Sequence, residues 1–133
     1  MFKKIVAGML AVSMLALSGC ASVQKGEEFA GLGLSDTPGT SPVAHYNAKN
    51  WGIYLLTIPL ITGDTTRPNT LFGISLLSDE VDVDSVGAML ATAAARDGAS
   101  SIEDLTSSRF GALVFLPIPL FYRSVAMSAN GVQ

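Results

Sequence analysis

Hydrophobic residues recur along this chain in runs of different period, and each run predicts a different element. Residues 51–61 (WGIYLLTIPLI) are apolar on both alternating faces, which is typical of a strand covered on both sides. Pro59 cannot donate a hydrogen bond to a ladder, so it marks an edge, a bulge or the end of that strand. Residues 70–77 (TLFGISLL) predict a second, short strand. The polar stretch 62–69 between them is a loop by composition.

The predicted helix covers residues 83–97 (VDSVGAMLATAAARD), where apolar side chains recur every three or four positions. Asp82 or Asp84 can cap its start, and Gly98 is placed as the residue past its end. The many alanines favour close packing onto a sheet. The apolar stripe consists of Val83, Val86, Leu90 and Ala94, joined by Met89 and Ala93.

Two extended segments follow the predicted helix: residues 102–108, and residues 113–129 with interruptions at Pro117 and Pro119. The predicted order is therefore strand, helix, strand, strand (β-α-β-β). We expect an α+β fold, a small two-layer domain over residues 45–133 in which one helix packs on a sheet of three or four strands. If the helix joined neighbouring parallel strands, the crossover would be right-handed.

The amino terminus has the layout of a secretory signal. Lys3 and Lys4 precede residues 5–17, an uncharged and mostly apolar run of 13 residues, and small residues follow. A membrane-spanning helix is the competing interpretation, but it needs about 20 apolar residues, and this run ends before Ser18. The pattern therefore predicts a signal peptide over residues 1–19.

The segment Leu17-Ser18-Gly19-Cys20 resembles the lipobox of bacterial lipoproteins. The resemblance implies cleavage before Cys20, a diacylglycerol on its sulfur and further acylation (palmitate or a similar chain) of the new amino group. Each buried methylene contributes about 0.8 kcal/mol, so two or three chains would anchor the protein permanently. The chain has no other cysteine, so disulfides are excluded. A buried cysteine in a core helix is the alternative, and it does not explain the preceding lysines.

The residue after the cysteine indicates the membrane. An aspartate there resembles an inner-membrane retention signal of lipoproteins in two-membrane bacteria, and this chain has Ala21. We therefore expect an anchor in the outer membrane, with the domain on the periplasmic side.

Residues 20–44 comprise the lipid-bearing Cys20 and a predicted flexible tether. Gly, Ser, Thr and Pro dominate residues 21–44, and no period of two or of 3.6 is sustained. Such a tether has a root-mean-square span of about 25–30 Å. The alternative is that three apolar side chains of this segment dock on the domain: Phe29, Leu32 and Leu34.

The charge balance limits the class of partner. Loss of Lys3 and Lys4 with the signal peptide leaves six basic and eleven acidic side chains, a net side-chain charge of −5. Nucleic-acid binding depends on clustered Lys and Arg at the phosphates, so we exclude it. The domain also gains no attraction to an anionic lipid surface beyond its acyl anchor.

No set of residues predicts catalysis, a metal or a cofactor. The single histidine, His45, has no G-x-S-x-G serine to activate, so a solvated or capping role is favoured over a catalytic base. No phosphate loop follows Gly31-x-Gly33, because a third glycine and a lysine are missing. The acidic cluster Asp79–Asp84 lacks the glycine and glutamate of a calcium loop. Carboxylates that complement the helix dipole are the favoured interpretation there.

Two charge-free stretches, Leu55–Ile61 (LLTIPLI) and Val114–Phe121 (VFLPIPLF), each carry a proline within an apolar run. They are either core or edge segments whose prolines block aggregation, or an exposed apolar patch that contacts a protein or membrane. Aromatic side chains dominate interfaces. The candidate partner-binding anchors are Trp51, Tyr54, Phe121 and Tyr122.

The functional prediction is a non-enzymatic, lipid-anchored envelope protein with a structural, accessory or sensor role, acting through a protein partner. A second resemblance covers residues 85–132, where the helix, DGASSIEDL, a strand and YRSVAMSANGV are similar to small, uncharacterised bacterial envelope lipoproteins. It supports the fold more than the function. The alternative is a binding module for a lipid or other apolar small molecule. Its cavity would be lined by Trp51, Leu55, Met89 and Phe115.

Overall fold

A computed structural model describes residues 20–29, 32–33, 39–70, 73–115 and 117–133. The predicted signal peptide and Leu34 lie outside these residues, as do the side chains of Phe29, Leu32 and Phe115. The described strands are β1 (Ala21–Gly26), β2 (Glu28–Phe29), β3 (Leu32–Gly33), β4 (Pro42–Leu55), β5 (Ile58–Gly63), β6 (Ile74–Leu76), β7 (Ser101–Phe115) and β8 (Leu120–Val132). The described helix, α1, spans Val83–Arg96.

Over the described residues, the fold is a six-stranded antiparallel sheet on which helix α1 packs. The strand order is β6-β5-β4-β8-β7, and β1 also pairs with β4. The prediction of an α+β domain, with a sheet of three or four strands in the order β-α-β-β, is therefore wrong: the described residues are mostly β. Every strand pairing in this sheet is antiparallel, so the right-handed parallel crossover does not arise.

The predicted strand 51–61 is two strands joined by a tight turn. Strand β4 ends at Leu55, residues 56 and 57 form the turn, and β5 returns antiparallel with Tyr54 opposite Pro59. The register shifts between Ile53 and Tyr54, so Pro59 lies next to an irregular point of the ladder, where a missing N–H is tolerated. The apolar run continues through the turn, which is why the sequence did not show it.

Strand β4 is the centre of the sheet, and its first half falls in the predicted tether and the residues just after it. Its side chains alternate strictly: Ala44, Tyr46, Ala48 and Asn50 are buried, whereas the residues between them face the other side. Small and polar residues on both faces conceal this period of two. The resulting strand, PVAHYNAKNWGIYL, therefore begins well before the predicted start of ordered structure.

The helix prediction is confirmed. Asp82 caps α1 by accepting a hydrogen bond from the Ser85 backbone N–H at 2.7 Å, and Gly98 follows the helix with a φ of +94°. Its apolar stripe packs mainly on β4 and β8, with fewer contacts to β7 and β1, and covers that part of one sheet face. The core consists of Ala21, Ala44, Tyr46, Ala48, Val86, Met89, Leu90, Ala94, Val125, Met127 and Ala129.

The remaining strand predictions are confirmed in part. The short strand predicted at 70–77 is β6, limited to Ile74–Leu76, and Leu71 and Phe72 lie outside the described residues. The segment 102–108 lies within the much longer β7. The segment 113–129 is the end of β7, a turn and most of β8. Within the described part of the chain, no helix is long and apolar enough to cross a bilayer.

Candidate functional site: the anchor residue and two apolar surfaces

Cys20 lies against the sheet rather than at the end of a tether. Its carbonyl accepts a hydrogen bond from the Trp51 backbone N–H at 3.1 Å, and β1 begins at the next residue. Cys20 is 2 % exposed, and burial raises the pKa of its thiol. Residues 17–19 of the lipobox lie outside the described residues, so the lipidation of Cys20 stays a prediction.

A loop fastens the outer edge of β1. The Asn69 backbone N–H donates to the Ala21 carbonyl at 3.0 Å, and its side-chain amide donates to the Val23 carbonyl at 2.9 Å. The Val23 N–H in turn donates to Asn69 Oδ1 at 3.0 Å. Asn69 thus satisfies the free edge of β1 as a neighbouring strand would. Residues 21–26, predicted to belong to a flexible tether, are paired with β4 in the sheet, and Ala21 and Val23 are also held from the other side.

Asp64 organises that loop. Its carboxylate accepts hydrogen bonds from the Thr66 N–H (2.9 Å) and hydroxyl (2.5 Å), and from Arg67 Nε (2.7 Å). Arg67 also forms an ion pair with it at 2.7 Å. Asp64 is only 6 % exposed. The Thr66 hydroxyl, helped by Arg67, lowers the pKa of Asp64 although burial opposes this.

Strands β1 and β5 meet on the same side of β4 at Gly63. A Cβ atom at this position would lie 2.2 Å from Asn50 Oδ1, 2.4 Å from the Ala21 nitrogen and 2.6 Å from the Cys20 carbonyl carbon. Only glycine fits this junction. Cys20 is therefore in direct backbone contact with β5.

The four predicted partner-binding aromatics divide between the two faces of the sheet. Trp51 and Tyr122 lie on the open face, half-buried, with ring centroids 5.7 Å apart. Tyr54 and Phe121 are paired across β4 and β8 on the opposite face. Tyr54 is fully buried, so it does not present a surface to a partner.

The contacts of Tyr54 are structural. Its hydroxyl donates to Asp79 Oδ1 at 2.5 Å, and the Arg123 guanidinium lies 4.6 Å from its ring centroid. Burial, with the Asp79 hydrogen bond, raises the pKa of Tyr54. Tyr46 is similar: burial and its hydrogen bond to Asp97 raise its pKa to about 12.

Sequence reasoning missed Phe110, which completes the open-face aromatic cluster. Phe110 is 61 % exposed and its ring centroid lies 6.2 Å from that of Tyr122. It stands within the polar segment SSRFGA, where a single apolar residue gives little signal. We use "aromatic cluster" below for Trp51, Phe110 and Tyr122.

A second apolar surface lies on β5 and β6, at the edge of the same open face. An apolar row crosses the whole sheet there in register: Leu76, Ile61, Ile53, Tyr122 and Ala112. Its outer end is the most exposed, with Leu76 at 66 % and the adjacent Leu77 at 71 %. We use "β5–β6 patch" below for Ile58, Ile61, Ile74, Leu76 and Leu77.

The two proline-containing stretches form the ends of two hairpins that lie side by side. The Leu56 N–H, in the β4–β5 turn, donates to the Pro119 carbonyl in the β7–β8 turn at 3.0 Å. Leu56 and Ile118 are both more than half exposed. The interpretation as an exposed apolar surface therefore holds for the tips of these stretches.

Carboxylates of the acidic cluster accept hydrogen bonds from other groups of the same chain. Glu80 accepts hydrogen bonds from the Ser75 hydroxyl (2.6 Å) and the Thr65 N–H (2.7 Å). Burial acts to raise the pKa of Asp82, but the hydrogen bonds from Ser85 lower it overall. Within the described ranges, no group of three or more metal-binding side chains comes together.

The predicted ligand cavity is not formed as proposed. Met89 is buried in the core under α1, whereas Trp51 and Leu55 lie on the open face. An open groove of about 480 Å³ lies near the start of α1, lined by charged residues that include Asp82, Arg109 and Arg123. A second groove, of about 420 Å³, lies beside α1 and is lined in part by Met89, Ala88, Ala93 and Pro68. The binding-module alternative therefore stays a prediction, with a different lining from the one expected.

The histidine has a structural contact. His45 Nδ1 lies 2.7 Å from Asn130 Oδ1, and the Asn130 amide donates to Asp104 at 3.0 Å. All three residues lie at the polar end of the sheet, away from the apolar row.

No protein-family model, no curated protein and no solved structure significantly matches this chain. The function is therefore inferred from the geometry of Cys20 and of the two apolar surfaces.

Proposed function

We propose that this protein is a non-enzymatic lipoprotein of the bacterial envelope, anchored through acyl chains on Cys20, which binds a protein partner through its aromatic cluster. The observation that carries the proposal is the position of Cys20. The lipobox-like segment ends where the sheet begins, and β1 follows with no intervening linker. This is the arrangement expected if the mature chain starts at Cys20.

The direct connection changes the predicted mechanism. A tether of 24 residues would allow a span of about 25–30 Å, whereas one residue in a strand advances only about 3.3 Å. The domain is then confined at the bilayer surface with a restricted orientation. Confinement raises the effective concentration of the aromatic cluster toward partners in the same membrane, with no new contact.

The burial of Cys20 bears on whether acylation precedes folding of this corner of the sheet. A thiol that is 2 % exposed, with a raised pKa, is a poor acceptor for a diacylglyceryl group. We therefore expect acylation to occur before this corner of the sheet closes, and the acylated sulfur to stay outside the core. Cleavage before Cys20 would also release the residues that precede it, which leaves the new amino terminus at the β1–β5 junction.

The aromatic cluster supplies the proposed partner contact. Trp and Tyr are the residue types that dominate binding energy at interfaces, and each can use a large apolar ring and a polar tip. Phe110 adds an exposed ring beside them on the free edge strand β7. The partner is therefore expected to contact β4, β8 and β7 on the side opposite α1.

The test is crosslinking in the native membrane followed by extraction in mild detergent, with two matched variants. Tyr122→Ala removes a ring from the aromatic cluster, and Phe121→Ala removes the neighbouring ring on the other face of the same strand. We expect a stoichiometric partner to be lost with Tyr122→Ala and retained with Phe121→Ala. Equal recovery from both variants would contradict the proposed binding face.

A further inference from the structure

The β5–β6 patch has no role in the proposed partner contact, yet it contains Leu76 and Leu77, the two most exposed large hydrophobic side chains of the described residues. Ile58, Leu76 and Leu77 are 54 %, 66 % and 71 % exposed. No charged residue occurs in residues 52–63 or 73–78, which contain the whole patch. Contiguous apolar surface of this kind marks a contact with a protein or a membrane.

The patch adjoins the proposed lipid anchor. Cys20 is in backbone contact with the Gly63 position of β5, and Gly63 is paired with Ile74 of β6. Adjacent strands lie about 4.8 Å apart, so Ile74 is only one strand spacing beyond the residue that contacts Cys20. Acyl chains on Cys20 would enter the bilayer immediately beside the patch.

We propose that the β5–β6 patch rests on the phospholipid surface beside acylated Cys20 and fixes the orientation of the sheet. This inference depends on the proposed lipidation of Cys20. The β6 edge then faces the membrane and the β7 edge points away from it. Trp51 is hydrogen-bonded to Cys20 and lies near the membrane, whereas Tyr122 on β8 and Phe110 on β7 lie one and two strands farther away and stay accessible to a partner.

Two features define the lipid surface that the patch fits. The backbone groups on the free edge of β6 need hydrogen-bonding partners, so the patch must stay at the boundary of headgroups and acyl chains and not enter the hydrocarbon core. Asp79 and Glu80 follow β6 closely, and Asp79 is exposed. Acidic flanks give no attraction to anionic lipid, so the expected surface is zwitterionic.

A protein partner or a second copy is less well supported as the occupant. Either would have to cover Ile74, which lies one strand spacing beyond the residue that contacts Cys20 and therefore beside the proposed acyl chains. The anchor holds this edge at the bilayer in every anchored molecule. The patch is therefore next to lipid in every anchored molecule, and lipid is the proposed occupant.

The experiment uses tryptophan as a depth probe in the full-length, acylated protein. Trp51→Phe removes the only tryptophan and retains an aromatic ring. In that background, Leu77→Trp places the probe in the patch, and Leu105→Trp places it on β7, four strand spacings or about 19 Å away. Both leucines are more than half exposed, so both sites have room for the larger ring. Leu76→Trp is a second patch variant in case one substitution disturbs folding.

Each variant is reconstituted into zwitterionic phosphatidylcholine vesicles with and without bromine atoms on the acyl chains. We expect the Leu77→Trp and Leu76→Trp proteins to lose most of their emission in the brominated vesicles, and the Leu105→Trp protein to lose almost none. Flotation and the acyl mass of Cys20 are measured on the same samples.

The outcomes separate the two proposals. An acylated protein that floats with the vesicles but is quenched equally at the patch and at residue 105 overturns this inference alone. The same holds if quenching is greater at residue 105. A protein without acyl chains on Cys20 overturns the proposed function, and this inference with it.

Discussion

The only cysteine and the only tryptophan of this protein share a backbone hydrogen bond: the Trp51 N–H donates to the Cys20 carbonyl at 3.1 Å. The bond joins the first residue of the proposed mature chain to the second half of the central strand β4. Cys20 is thereby fixed directly to the sheet. This connection can be tested at three places: the edge of β1, the β1–β5 junction at Gly63, and the loop of Asp64 and Asn69 that contacts β1.

Asn69 should control the stability of the β1 edge. Its φ of +62° is one that glycine adopts freely, so Asn69→Gly removes the two side-chain hydrogen bonds to Val23 without straining the backbone. Each bond contributes about 0.5–1.5 kcal/mol, so local opening should become about ten-fold easier or more. Hydrogen exchange of the Val23 amide measures this directly.

Thr70→Ala is the control for that experiment. It removes a hydroxyl that donates to the Arg67 carbonyl in the same loop, with no hydrogen bond to β1. Exchange at Val23 should change little in this variant. Equal acceleration in both variants would mean that the whole loop, and not the Asn69 side chain, holds the strand.

Gly63 should tolerate no side chain. Gly63→Ala brings a methyl group against backbone atoms of Cys20 and Ala21, which cannot move without displacing β1. We expect a loss of about 3 kcal/mol in the free energy of unfolding, at the upper end of the cost of overpacking. Chemical denaturation measures the loss.

Gly111→Ala is the matched substitution in an exposed part of β7. The nearest atom to its new methyl group is the Tyr122 carbonyl oxygen at 3.8 Å, an ordinary contact. The free energy of unfolding should stay within about 1 kcal/mol of wild type. It rises if the smaller conformational entropy of alanine in the unfolded chain outweighs any effect of the new contact. A Gly63→Ala protein as stable as Gly111→Ala would show that β1 does not meet β5 as described.

Asp64 should make the protein sensitive to acid. The pKa of Asp64 is lower in the folded than in the unfolded state. Its contribution to the free energy of unfolding is therefore fully present above the unfolded-state pKa of about 3.9, and it is lost as the pH falls through the folded-state pKa. Asp64→Asn should cost about 2–3 kcal/mol at neutral pH, because hydrogen bonds to a charged, buried acceptor are lost. Thermal melts of both proteins between neutral pH and about pH 2 measure this.

The difference in Tm between wild type and Asp64→Asn should start to narrow below about pH 4, where the unfolded chain binds the proton, and should be smallest below the lowered pKa of folded Asp64, where the wild-type carboxylate is protonated too. A difference that stays constant down to pH 2 would mean that the side chain acts through packing and not through its charge. Asp82 and Asp97, whose pKa values are also lowered, are present in both proteins and cancel from the comparison.

The helix was predictable because its period and caps are local properties. The sheet was only partly predictable, for reasons visible in particular residues. The β4–β5 turn contains Leu56 at a φ of +57°, a conformation usually associated with Gly, Asn or Asp, so no turn residue marks it. The polar residues of β4 on the open face, among them Asn47 and Lys49, resemble a linker until their alternation is noticed.

The candidate site, too, was predictable only where the signal is local in sequence. Cys20 could be singled out from its neighbours in sequence, and Trp51 and Tyr122 from their residue type. Tyr54 and Phe121 were assigned to the same surface, but the side chains of adjacent residues in a strand point to opposite faces, so register decides which aromatic residues meet. The contribution of Asn69 depends on a pairing 46 residues apart in sequence, which no local pattern indicates.

The central claim is that the mature chain begins at an acylated Cys20, and tryptic digestion of the membrane fraction tests it directly. Lys4 and Lys25 are the relevant cleavage sites. The account predicts a hexapeptide, Cys20–Lys25, that carries a diacylglyceryl group on the sulfur and further acyl chain on its amino group. A peptide spanning Ile5–Lys25 with a free thiol would contradict it.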